Sequence, residues 1–272
     1  MKNNTFSALS EKPFLFLWIG EIFTQVPTNL FNFFLILLVF KITHSNTAVS
    51  GVVLSFTVPA IIFGLIAGIY VDRWDKKTVL IVSNILRAIL MITLVFMLHN
   101  LFMIYLTSLL ITVLVQFFIP AETPMVPLVV KEKNLLSANA LFGMAIFASI
   151  LVAYVLSGPI LIFFKPVKTL ILIAVMLLIG AGFISLIDIK KKEQSKKDIG
   201  KAYILKDIKH TLSLMSRTKE ISRSLFLLAM SQILILVIAT SFLFFNKFSI
   251  IPSINLAPLK RIITPSVMFS CK

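Results

Sequence analysis

Polar positions in this chain are gathered into short connections, and apolar residues fill seven long runs between them. The runs cover residues 14–40, 48–70, 78–98, 101–119, 135–164, 167–187 and 225–245. A helix needs about 20 apolar residues to cross a bilayer, and each run is close to that length or longer. No ten-residue segment alternates apolar and polar side chains in the manner of an outer-membrane barrel strand. The pattern therefore predicts an all-α integral membrane protein of about seven transmembrane helices. Pro27, Pro59 and Pro159 fall inside runs and are candidate kinks, which membrane helices tolerate when neighbours satisfy the freed carbonyls.

Composition supports the membrane reading and removes other classes. The chain is 58% hydrophobic and 14% charged, where a soluble domain carries about a quarter charged residues. Mean hydropathy is +1.01. Lys2, Glu11 and Lys12 precede a first run far too long for a signal peptide. The single cysteine, Cys271, excludes internal disulfides and a cysteine metal cage. The net charge of +15 is explained by anionic lipid holding basic residues at the inner surface, with no need for nucleic acid. With the N-terminus in the cytoplasm, the inner segments hold 18 Lys and Arg, against Lys41, Lys165 and Lys168 outside. That asymmetry predicts a multi-pass protein of the cell (plasma or inner) membrane with a cytoplasmic N-terminus.

The organisation expected is a six-span bundle over 1–188, a basic cytoplasmic linker over 189–224, a seventh span over 225–245 and an atypical tail over 246–272. In the linker, Ile199, Ile204, Ile208, Leu212 and Met215 recur at helical spacing, as in a helix lying on the inner leaflet.

One polar turn, G-I-Y-V-D-R-W-D-K-K at 68–77, places five charged groups between the second and third runs. Lipid offers no partner for charge, so this knot must lie at a membrane surface. The turn resembles the signature loop between helices two and three of the major facilitator superfamily, G-x-x-x-D-R-x-G-R-K/R. Gly68, Asp72, Arg73, Lys76 and Lys77 fit it, and Asp75 stands where the pattern prefers glycine. Further features follow in order: L-W-I-G at 17–20, G-x-x-A-G-x-x-x-D-R at 64–73, Arg87, P-A-E-T-P-M-V-P at 120–127, S-A-N-A-L at 137–141 and Gly158-Pro159. Residues 14–159 together resemble the macrolide-efflux and siderophore-exporter branch.

The resemblance implies secondary active efflux of a small amphipathic or hydrophobic compound by alternating access. It also implies that Gly64, Gly68, Asp72, Arg73, Lys76 and Lys77, with Gly158 and Pro159, form a conformational gate. Ile162 and Phe163 stand where drug:proton antiporters carry a glycine pair after that G-P, and run 101–119 lacks their basic residue. Members have about twelve spans, and the likeness stops after Ser241. The expectation is an N-terminal half-transporter whose reading frame was interrupted there, or else a natural terminal extension. A second transporter half or a homodimer would then complete the cavity. The alternative function is a non-transporting half-transporter fragment or membrane scaffold.

For chemistry, Glu21, Gln25, Asn29 and Asn32 fall on one face of the first helix. A carboxylate at that depth lines a water-filled cavity or finds a partner. One reading makes this face part of the substrate site, with Glu21 binding a proton or a cation. The other makes it polar glue, with Glu21 paired to Arg87. Arg87, about 15 Å into the third helix, is either a snorkelling or paired structural arginine or a substrate contact. His44, His99 and His210 give no metal spacing, and the chain lacks the G-K-[ST] of a phosphate-cradling loop. No nucleophile and base pair up. No metal, cofactor or enzyme activity is expected.

Overall fold

The computed structural model describes residues 6–188 and, beyond them, residues 223, 227 and 230. The chain divides into two compact units, Met1–Lys196 and Lys197–Lys272. In the second, residues 223, 227 and 230 are helical. Apart from these three residues, the linker, the seventh span and the tail expected above lie outside the described residues, as does the interruption expected near Ser241.

The first unit is helical among the described residues. Its α-helices are α1 (Lys12–Thr43), α2 (Asn46–Val71), α3 (Lys76–Phe96), α4 (Leu101–Glu122), the short α5 (Val126–Val129), α6 (Leu135–Phe163) and α7 (Pro166–Ser185). Six helices among the described residues are long and apolar enough to cross a membrane. Their limits follow the apolar runs because the connecting residues carry stop and start chemistry. His44 ends α1 in the left-handed region at φ 50°. Ser45, Asp75 and Asn100 then cap α2, α3 and α4 by accepting from backbone N–H groups one turn on. Pro166 opens α7, where its missing N–H costs nothing.

The three candidate kink prolines lie inside continuous helices. Around Pro27 the backbone is served by side chains: Thr24, Thr28 and Asn29 donate to the carbonyls of Gly20, Thr24 and Gln25.

Helix α1 packs on α7 and α6, and less on α2; α3 packs on α7 and α4, and α2 lies along α4. Lipid supplies no hydrophobic force between helices, so close backbone approach must do that work. At the α1–α7 crossing, a Cβ built on Gly180 would stand 2.9 Å from Thr24 Oγ1 and 3.1 Å from the Gly20 carbonyl oxygen. At the α2–α4 crossing, a Cβ on Gly51 would stand 2.9 Å from Tyr105 Cζ, whose hydroxyl donates to the Ala48 carbonyl at 2.8 Å.

Two apolar clusters form the interior. One gathers Phe31, Phe34, Leu35, Met91, Leu94 and Leu177; the other gathers Phe14, Leu17, Leu80, Phe118, Met125 and Leu141. Between them, α1 and α3 carry Thr24, Ser83, Asn84 and Arg87, all buried and none apolar. The outward face of the bundle is greasy, most openly on α2 and α6, where Ile61, Phe147 and Val155 are each more than 70% exposed.

Candidate functional site

The buried polar layer on α1 is where the site begins. Residues four apart share a helix face, and Gln25 Nε2 donates to Glu21 Oε1 at 2.7 Å, one turn below it. The same amide reaches Glu122 Oε2 on α4 at 3.5 Å. Both acids are buried, Glu21 at 1% and Glu122 at 5% exposure. Two helices that otherwise touch little are thus bridged by the Gln25 amide, which reaches an acid on each of them.

Glu122 is the residue that reading the sequence alone left out as a site. The apolar pattern predicts a run that ends at 119, before the P-A-E-T-P segment. The helix instead continues through Pro120 to Glu122, and a 3-10 turn and α5 prolong the apolar stretch to Val129. This extension is what carries an acid into the protein interior.

Arg87 is enclosed at 1% exposure and does not snorkel. Its Nη1 donates to Thr28 Oγ1 at 3.1 Å, its Nε to the Ser83 carbonyl at 3.3 Å, and its Nη2 to Asn84 Oδ1. The guanidinium lies 4.7 Å from the Phe118 ring centre, close enough for a cation–π contact. Asn84 Nδ2 in turn donates to Thr24 Oγ1 at 2.8 Å. The Glu21–Arg87 pairing considered from sequence is replaced by two arrangements: Glu21 accepts from Gln25, and Arg87 donates to neutral oxygens nearby. The reason is position. Thr28, Ser83 and Asn84 lie nearer to the guanidinium than either acid, and the acids reach it only through the field.

Asn29 continues the α1 face, donating to the Gln25 carbonyl at 2.8 Å, and Asn32 is half-buried one turn further. No buried side-chain nitrogen or oxygen among the described residues lacks a hydrogen-bond partner. Among those residues no three His, Cys, Asp or Glu side chains come together. A cation entering this layer would therefore meet the carboxyl pair and its amide.

The charged turn lies elsewhere, at the end of the bundle. Asp72 is the C-cap of α2, and its carbonyl accepts from Lys76 Nζ at 3.1 Å. The carboxylate at a helix N-terminus is that of Asp75, which accepts from Thr78 N at 3.1 Å. The residue that departs from the family's glycine has become the cap of α3. Lys77 reaches across to the end of α7, donating to the Ile187 carbonyl at 2.7 Å. Arg73 is half-buried beside Trp74, whose ring stacks on Phe117 of α4 at 5.9 Å. A Cβ on Gly64 would make ordinary contact with Gln116, at 3.5 Å, and one on Gly68 or Gly158 would meet nothing within 4 Å. Pro159 lies within α6.

No curated protein and no solved structure matches this chain significantly. The profile of the Major Facilitator Superfamily matches residues 17–261, and the chain, with its membrane-length helices, is a multi-pass member of that superfamily of membrane transporters.

Proposed function

We propose that this protein takes part in secondary active efflux of a small amphipathic or hydrophobic compound, with the Glu21–Gln25–Glu122 cluster as the point where a proton or a cation binds. The observation that carries this reading is two buried acids, Glu21 on α1 and Glu122 on α4, within reach of one amide, that of Gln25. A structural need for two acids at one place in lipid is hard to find, since apolar residues would hold the helices with no desolvation cost. A pair that holds one proton in one conformation and releases it in another provides the coupling that alternating access requires. The likeness over residues 14–159 favours the macrolide-efflux and siderophore-exporter branch. Asn29, Asn32 and Arg87 extend the cluster as substrate-site candidates, Arg87 by fixing Thr28 and Asn84 behind it.

Gly64, Gly68, Asp72, Arg73, Lys76, Lys77, Gly158 and Pro159 form the gate in this reading. Gly68 and Gly158 have no packing need for smallness inside the bundle, which fits a surface that closes on another element in the second state. The facing wall of the cavity comes from a second transporter half or a second copy, and the N-terminus lies in the cytoplasm of the plasma or inner membrane.

Reconstitution into liposomes tests this. Dye efflux driven by an imposed pH gradient is expected from the chain, with or without a co-expressed second half, and it should collapse with a protonophore. Glu122→Gln and Glu21→Gln should each lower the gradient-driven rate about 100-fold, within the span of a lost acid–base group. Unchanged pH dependence in the double variant removes coupling from this pair. Absence of efflux under every condition favours the non-transporting scaffold instead.

A further inference from the structure

Ser45, Asp75 and Asn100 each cap the helix they precede. Glu11 and Asn134, which precede α1 and α6, do not. They bond to each other instead. Asn134 Nδ2 donates to Glu11 Oε1 at 2.7 Å, and the Lys131 N–H, in the connection leading to α6, donates to Glu11 Oε2 at 3.2 Å. Ser7 Oγ, in a 3-10 turn over Ser7–Ser10, donates to Asn134 Oδ1 at 3.1 Å. The same turn inserts Ala8, which is fully buried, into the apolar cluster around Phe14 and Leu141. Further along α1, Trp18 Nε1 donates to the Leu141 carbonyl at 3.0 Å. Glu11 to Asn134 and Trp18 to Leu141 share one offset, 123 residues. Helices α1 and α6 therefore run parallel, with two polar ties about two helical turns apart.

We propose that Ser7, Glu11 and Asn134 form a reversible clasp that pins the start of α6 to the start of α1 and opens in the other state of the protein. Asn134 is the two-way element. In the closed state its amide serves Ser7 and Glu11, and the start of α6 is served by a 3-10 turn over Glu132–Asn134, whose last bond runs from Leu135 N to the Glu132 carbonyl. In the open state that turn unwinds, segment 6–11 comes away, and Asn134 Oδ1 accepts from the first-turn N–H groups of α6, as asparagine does at a helix start. The two arrangements are of similar strength, since a helix cap and a side-chain hydrogen bond are worth comparable amounts. A residue balanced between two partner sets is what a two-state switch requires. The backbone on both sides of the clasp is 3-10, a form with poorer bond geometry that often marks a hinge. The bonds of the clasp are half-buried or exposed, so water replaces them when it opens. Trp18 packs against the apolar cluster, where its bond to Leu141 has no such substitute and stays as the pivot.

Amide exchange on the full chain in lipid nanodiscs separates a switch from a fixed staple. Glu11→Ala should speed exchange over 6–10 about tenfold and leave 135–138 as protected as before, because Asn134 is then free to cap α6. Asn134→Asp should give the same result, since aspartate repels Glu11 and caps a helix as well as asparagine does. Asn134→Ala can neither clasp nor cap and should speed both segments. If Glu11→Ala and Asn134→Ala speed both segments alike, or if Glu11→Ala leaves 6–10 unchanged, the clasp is not a switch. A second measurement asks whether opening is needed for transport. In a Cys271→Ser background, Ser7→Cys and Asn134→Cys are bridged with a short reducible bifunctional thiol reagent. Bridging should stop dye efflux, and reduction should restore it; efflux that continues while bridged overturns the proposal. If no form of the protein shows efflux, it is the proposed function that fails, and the exchange pattern alone decides the clasp.

Discussion

Gly180 has no room for a methyl group, and the reason lies in the partner backbone. A Cβ there would come within 2.9 Å of Thr24 Oγ1 and 3.1 Å of the Gly20 oxygen, and backbone cannot move aside as a flexible side chain can. Gly180→Ala should destabilise the bundle by about 1–3 kcal/mol, the usual cost of overpacking, read as a lowered thermal midpoint in detergent. Gly143→Ala is the control: a Cβ there meets nothing within 4 Å, and alanine is the better helix former by about 1 kcal/mol. A midpoint unchanged in Gly180→Ala would mean that α1 and α7 are not held at that crossing. Single residues were also the hardest to read from sequence. Glu21, Gln25 and Asn29 declared themselves because a helical face is a matter of spacing. Glu122 did not, because proline is the strongest local stop signal and Pro120 stands just before it. What keeps the helix running is the apolar stretch beyond, and its length decides the matter in lipid. Asp75 was equally opaque: it reads as a blemish in a motif until α3 is seen to begin one residue later.

Between elements, the ties that matter join helices distant in the chain. Thr24, Thr28, Asn84 and Arg87 lock α1 to α3, while Gln25 and Glu122 link α1 to α4. Arg87 supplies three of the donors in this layer. Its replacement by methionine should cost about 3 kcal/mol or more, since a buried cluster loses its shared cation. Adding Glu122→Gln removes one of the two acids whose field Arg87 lies in, so the double variant should recover at least about 1 kcal/mol of that loss. Strict additivity of the two changes in chemical denaturation would show that the cation and the acid do not feel each other. A milder tie is Lys77, whose ammonium satisfies the Ile187 carbonyl just past the end of α7. A cation at a helix C-terminus is worth about 0.3–1 kcal/mol, so Lys77→Gln should raise amide exchange over 183–187 and leave α1 and α2 unaffected. The limits of these helices were visible in advance to within a few residues, because lipid enforces length and the caps are local. Which helix lies against which was not visible. Nearly every face is apolar, so the sequence carries little record of contact beyond small residues and scattered polar groups.

At the scale of the molecule, the remaining question is which way the bundle is threaded, and charge gives a definite answer to test. An even number of crossings places the charged turn, the segment around Lys131 and Lys133, and the segment following α7 on the same side as the N-terminus. Among the described residues, the basic groups at or beside the connections on the other side are Lys41, Lys165 and Lys168. Each Lys or Arg near an anionic surface contributes about 1 kcal/mol, so inverting the bundle would sacrifice an attraction spread over many groups. The described connections offer exposed reporters on both faces: Asn46 and His99 on one, Lys133 on the other. In a Cys271→Ser background, Asn46→Cys and His99→Cys should react with a membrane-impermeant maleimide on intact cells. Lys133→Cys should react only after the membrane is opened. The reverse labelling would place the N-terminus and the charged turn outside the cell, and the proposed gate with them.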